Sequence, residues 1–103
     1  MSTVNAVMNV SDGDRGRGYM FGKFQIAVGS EIDGFINVSL AGNAISHPPV
    51  VVCSTEQTTA FTGHVYNVSN VGFSIIVHRM DTGPSPGGNP PQSFFVNVAI
   101  FFQ

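Results

Sequence analysis

Charge is what this sequence most lacks. Only 10% of its 103 residues are Asp, Glu, Lys or Arg, against roughly 25% in an ordinary soluble domain. Four cations, among which Lys23 is the single lysine, face six acids, for a net charge of −2. Binding nucleic acid through its phosphates needs clustered cations, so that function is excluded. Tryptophan is absent and Cys53 is the one cysteine, which excludes an intrachain disulfide framework and leaves a structural zinc site without thiolates. No apolar run approaches the ~18 residues of a membrane-spanning helix, and no membrane insertion is expected. Met1 to Val10 has no cationic stretch leading into an apolar one, so no secretory leader is expected.

What is present is apolar and rich in turn residues. Hydrophobic residues make up 43% of the chain, with nine phenylalanines, twelve glycines and six prolines. That is enough for one core and too short for several domains. No segment carries a helical period, whereas period-two alternation recurs. Val4 to Val10 reads as a short first strand. From Tyr19 to Val28, Met20, Phe24, Ile26 and Val28 share one side, with Lys23 and Gln25 on the other. Phe35 to Leu40 alternates again. Pro48-Pro49 opens the run Val50-Val51-Val52, where proline's missing N–H suits a strand start and three valines suggest burial on both faces. Ala60 to Val68 and Gly72 to Met80 form a pair joined by a tight turn at Ser69-Asn70-Val71. Ser93 to Phe102 closes the chain as its most apolar strand. The fold class predicted is all-β: a small antiparallel β-sandwich of about six or seven strands.

Residues 1–18 read as an N-terminal strand followed by a glycine-rich polar connector, Asp12 to Gly18, and residues 19–103 as the sandwich domain. The Asp81–Gln92 stretch holds four prolines and three glycines, so it is a long loop. Loops of this length carry function or are tolerated insertions, and both readings stay open.

Alternation also places side chains on faces. With Tyr66 opposite Ser74, residues Phe61, Val65, Phe73, Ile75 and Val77 face a core, and His64, Tyr66, Ile76 and His78 face away. His64 and His78 are then diagonal neighbours. In the last strand Phe94, Val96, Val98, Ile100 and Phe102 share one face, and Phe95, Asn97, Ala99 and Phe101 the other. A lone sandwich needs one apolar face per strand, so two apolar faces imply a second burial surface. The candidate interface with other copies of the chain comprises Phe94, Val96, Val98 and Ile100, together with His64, Tyr66 and His78.

Signatures of chemistry are sparse. There is no nucleophile elbow, phosphate loop or His-Glu-x-x-His helix, and the six acids are scattered over turns, so no enzymatic activity and no cofactor are expected. Asp12-Gly13-Asp14 resembles the opening of a calcium loop without its downstream ligands. The histidines His47, His64 and His78 fit packed or hydrogen-bonded side chains better than a metal site. Cys53 follows a valine run and reads as a small buried hydrophobe. Asn9-Val10-Ser11, Asn37-Val38-Ser39 and Asn67-Val68-Ser69 match the glycosylation triplet, which alternation alone produces here. Arg79, Met80 and Asp81 stand where a strand opens into the long loop. Arginine and aspartate there suit sugar hydroxyls and Met80 an apolar contact, with a weak surface ion pair as the competing reading.

Three stretches carry a family likeness: Pro48-Pro49-Val50-Val51-Val52, Val65 to Phe73 with its Tyr66-x-Val68-Ser69-x-x-Gly72-Phe73 pattern, and Phe95 to Ile100. They resemble the H-type lectin domain, as do Gly22 to Gln25 and Phe35 to Leu40, and the resemblance covers most of residues 19–102. It implies a small β-sandwich assembling as a parallel trimer. It also implies a place in bacteriophage tail fibres or other virion proteins. The agglutinins of the family bind N-acetylgalactosamine. Their arginine falls at Ala60 here and their tryptophan–histidine pair at Met80 and Asp81, and an early-loop aspartate falls within Gly29 to Asp33. The candidate carbohydrate-binding residues are therefore Arg79, Met80, Asp81 and Asp33. Two functions follow: a non-enzymatic homotrimeric virion lectin that binds host-surface glycan, or a structural virion module, in a capsid or a fibre, that contacts other virion proteins and binds no sugar.

Overall fold

The computed structural model describes residues 2–28, 33–56, 61–80 and 92–103. Over the described residues the protein is a small β-sandwich of seven strands with one short helix: β1 Ser2–Val10, α1 Asp12–Arg17, β2 Tyr19–Val28, β3 Asp33–Gly42, β4 Val50–Glu56, β5 Phe61–Ser69, β6 Gly72–Arg79 and β7 Gln92–Phe101. Sheet A has four strands in the order β1-β3-β6-β5, and sheet B three in the order β2-β7-β4.

Most strands sort their residues by alternation. In β1, Val4, Ala6, Met8 and Val10 turn inward while Thr3, Asn5, Val7 and Asn9 turn out. The core lies between the sheets, where Ile26, Val28, Ile36, Ile75, Val77, Phe94, Val96 and Ile100 are at most 1% exposed. Phe61 of β5 and Phe94 of β7 stack across the gap, with ring centroids 4.9 Å apart. The β5–β6 hairpin has the expected register, Tyr66 opposite Ser74 and His64 opposite Ile76. The register shifts at a bulge between Tyr66 and Ser69, where Asn67 takes a left-handed φ of 53°, a conformation asparagine tolerates better than most residues.

Three readings of the sequence change. First, Asp12 to Arg17 is a helix rather than a flexible connector. Ser11 closes a capping box, its hydroxyl accepting from the Asp14 N–H at 3.0 Å while Asp14 accepts from the Ser11 N–H at 3.0 Å. Gly18, with φ of 87°, ends the helix, and its carbonyl accepts the Phe102 N–H at 2.9 Å. Second, β1 pairs with β3 in parallel over Ser2 to Val10. Residues 2–10 are thus an edge strand of the sandwich itself, and this pair departs from an otherwise antiparallel arrangement. Third, the valine run is not buried on both faces. Val51 packs against the core, while Val50 and Val52 are about half exposed on the outside of sheet B. Among the described residues, no helix is long and apolar enough to cross a membrane.

Candidate functional site

Two outward faces result, and they differ in chemistry. The outer face of sheet A is polar and nearly neutral. Reading across β1, β3, β6 and β5, the strand registers align Asn5, Asn37, Ser74 and Tyr66 in one row. Asn37 donates to the Asn5 side-chain oxygen at 3.2 Å, and the Ser74 hydroxyl donates to the Asn37 side-chain oxygen at 2.9 Å. The row beside it holds Thr3, Phe35, Ile76 and His64, where half-buried Phe35 and Ile76 form an apolar strip between polar neighbours. A third row sets Asp33 against His78, whose Nδ1 bonds the Asp33 carboxylate, with Thr62 alongside. Amides, hydroxyls and imidazoles beside an apolar strip match the hydroxyl and C–H groups of a sugar ring.

The structure distributes the expected site residues unevenly. Asp33 reaches this face through its bond to His78. Met80 stands exposed at the end of β6. Arg79 does not face solvent: it is 6% exposed, and its guanidinium lies 5.7 Å above the Phe61 ring. The reason is parity, since His78 points outward and its neighbour in the strand must point inward. Asp81 and most of the Asp81–Gln92 loop lie outside the described residues. Ala60 and the Gly29–Ile32 part of the early loop do as well.

The interface expectation divides in the same way. His64, Tyr66 and His78 do lie on the outside of sheet A, with His64 and His78 diagonal as expected. Phe94, Val96, Val98 and Ile100 do not face outward. They are 0–2% exposed and form the centre of a single chain's core. From Phe94 to Ile100 this face of β7 is apolar at every position, while the opposite face includes Ser93 and Asn97, so burying the apolar side leaves the mixed side out.

That mixed side contributes to the outer face of sheet B, which sequence reasoning left unassembled. Its rows run Tyr19–Phe101–Val50, Phe21–Ala99–Val52, Lys23–Asn97–Ser54 and Gln25–Phe95–Glu56. The first two rows are apolar. In the others, Lys23 pairs with the Glu56 carboxylate at 2.9 Å, and the Asn97 amide donates to the same oxygen at 2.8 Å. The Asn97 amide first, and then Lys23, hold the Glu56 carboxyl below its ordinary range. Lys23 also lies 4.8 Å above the Phe95 ring. A groove of about 340 Å³, lined in part by Phe21, Val52, Ser54, Asn97 and Ala99, crosses this face. Cys53 borders it as a half-buried side chain whose thiol burial pushes above the usual range, consistent with a packing role.

Among the described residues, no group of three or more His, Cys, Asp or Glu side chains is placed to hold a metal ion.

No protein-family model matches the chain, and no curated protein matches it. Solved structures do share its fold. The tailspike gp61 of Pseudomonas phage phi297 matches over 82% of this chain at a TM-score of 0.56 and 12% identity. The tailspike gp49 of Pseudomonas phage LKA1 matches over 82% at 0.55 and 12% identity. An N-truncated R1-type pyocin tail fibre matches over 87% at 0.51 and 18% identity. The chain spans 15% of each tailspike and 75% of the pyocin fibre fragment. The likeness at these identities is one of fold: this sandwich recurs as a unit within phage tailspikes and a pyocin tail fibre.

Proposed function

We propose that this chain is a non-enzymatic module of a virion fibre that assembles as a homotrimer and binds host-surface carbohydrate. The observation that carries the reading is the outer face of sheet A, where Asn5, Asn37, Ser74 and Tyr66 line up beside the Phe35–Ile76 strip. Neutral hydrogen-bonding groups around an apolar strip suit a polyhydroxylated ligand and suit a phosphate or a lipid poorly. Asp33 lies on this face against His78, and exposed Met80, just past the end of β6, is included in the proposed site. Two further supports are the fold shared with tailspike and pyocin fibre chains and the resemblance to H-type lectins. Three modest sites on one trimer add up through avidity.

The test is binding of the intact protein to an array of neutral and N-acetylated oligosaccharides. Wild type should retain at least one glycan, and Asn37→Ala and Tyr66→Ala should each weaken that binding tenfold or more. No retained glycan, or variants that bind like wild type, overturns the sugar reading. A structural module of the same fibre is the second reading, favoured by the exposed apolar half of sheet B. Binding to assembled particles without binding any sugar selects it.

A further inference from the structure

We infer that the apolar half of the outer face of sheet B is where copies of this chain pack against each other, head to tail about an axis. The inference rests on the assembly part of the proposed function and assigns it a surface.

Nine large hydrophobic side chains are notably exposed among the described residues. Five of them, Tyr19, Phe21, Val50, Val52 and Phe101, occupy two successive rows of this face, at 38–67% exposure. The other four, Val7, Tyr66, Val71 and Met80, lie singly on β1, on β5, in the β5–β6 turn and just past β6. Scattered single exposures are normal on a monomer, while a contiguous set marks a contact surface.

The anatomy is that of an interface. The two apolar rows contain no charged residue. At one margin Lys23 and Glu56 neutralise each other. At the other, the Arg17 guanidinium lies 5.7 Å from the Tyr19 ring centroid. An apolar centre with its charges satisfied at the rim is the usual composition of protein contact surfaces. With ~150–250 Å² per aromatic side chain, the five residues expose roughly 400 Å². That is half of the ~800 Å² per partner of a standard interface, and the polar rows beside them can supply the remainder.

The occupant follows from shape. Phe21, the most exposed of the five at 67%, lines the 340 Å³ groove together with Ala99. The same surface thus offers a projecting ring and a recess. A projection on one copy seated in the recess of the next is a heterologous contact, and such contacts close into rings when the rotation permits.

Phe21→Lys and the milder Phe21→Ser test the assignment, because Phe21 is outside the core and neither change should unfold the chain. Val7→Lys, on the outside of sheet A, is the control. Mass in solution at micromolar concentration is read by light scattering, alongside thermal unfolding. The expected result is a three-chain wild type, a threefold drop in mass for both Phe21 variants with retained cooperative unfolding, and an unchanged control. A trimeric wild type whose Phe21 variants remain trimeric overturns the face and leaves the assembly reading standing. A monomeric wild type overturns both. Dissociation by Val7→Lys with intact Phe21 variants moves the contact to sheet A.

Discussion

Phe61 and Phe94 meet face to face across the sandwich, their centroids 4.9 Å apart and their planes 22° from parallel. They join β5 of sheet A to β7 of sheet B, and both are essentially sealed from water at 3% and 0% exposure. The aromatic that looked like an interface residue in the sequence is therefore a fastening within one chain. Phe94→Ala should cost about 3–5 kcal/mol of folding stability, the range for a buried phenylalanine truncation, as measured by urea titration. A loss below about 1 kcal/mol would show that this side chain is not in the core. Val98→Asp, two turns of the pleat away and 2% exposed, should abolish cooperative unfolding instead of merely separating copies, because an unpaired charge would be buried.

Glu56 provides a pH signature. Its carboxyl is held below the ordinary range by Asn97 and Lys23. A depressed folded pKa means the charged form is favoured by folding, so the contribution is complete above the ordinary carboxylate range and disappears as pH falls through the folded value. Melting temperature recorded from neutral to acid pH should therefore decline in wild type, and Glu56→Gln should flatten part of that decline. Identical profiles for the two proteins would show that the Lys23–Glu56–Asn97 cluster does not report on folding.

Gly72 begins β6 where β3 runs closest to it. A Cβ built there would lie 2.4 Å from the Val38 carbonyl oxygen, and backbone in a paired strand cannot give way cheaply. Gly72→Ala is expected to lower stability by about 1–3 kcal/mol. Gly16, in contrast, has nothing within 4 Å and lies inside α1. Gly16→Ala should be neutral or stabilising by up to ~1 kcal/mol from helix propensity. Calorimetry of the two variants checks the pair, and the reverse order of melting temperatures would contradict it.

The Ser11 cap is testable in the same way. Removing its hydroxyl leaves the Asp14 N–H, now bonded at 3.0 Å, without that acceptor. Ser11→Ala should cost about 1 kcal/mol, and Ser11→Asp should recover most of it. A Ser11→Ala variant as stable as wild type in urea would mean that α1 adds nothing to global stability.

The strands were legible because their information is local. Alternation along Tyr19–Val28, Phe61–Val68 and Phe73–Val77 states which side chains share a face, and the register assumed for the hairpin, Tyr66 opposite Ser74, is the one the structure has. The six-residue helix was missed because it is shorter than two turns and holds no apolar stripe. Its signals were chemical, a serine three residues before an aspartate and a glycine after Arg17. Of the candidate site residues, Met80, His64, Tyr66 and His78 are exposed and Asp33 is half-buried. Arg79 is buried, because its neighbour His78 takes the outward direction.

The sequence alone determined an all-β chain, the parity of most strands, and an excess of apolar surface for one copy to hide. Those follow from the two-residue repeat of extended backbone, which needs no knowledge of neighbours. The tertiary structure decided which side of β7 is interior, and that β1 runs parallel to β3. It also gathered Tyr19, Val50 and Phe101 into one row. Pairing of that kind depends on which distant strands share hydrogen bonds. Alternation is indifferent to that choice, since it offers two faces and names neither as the inside.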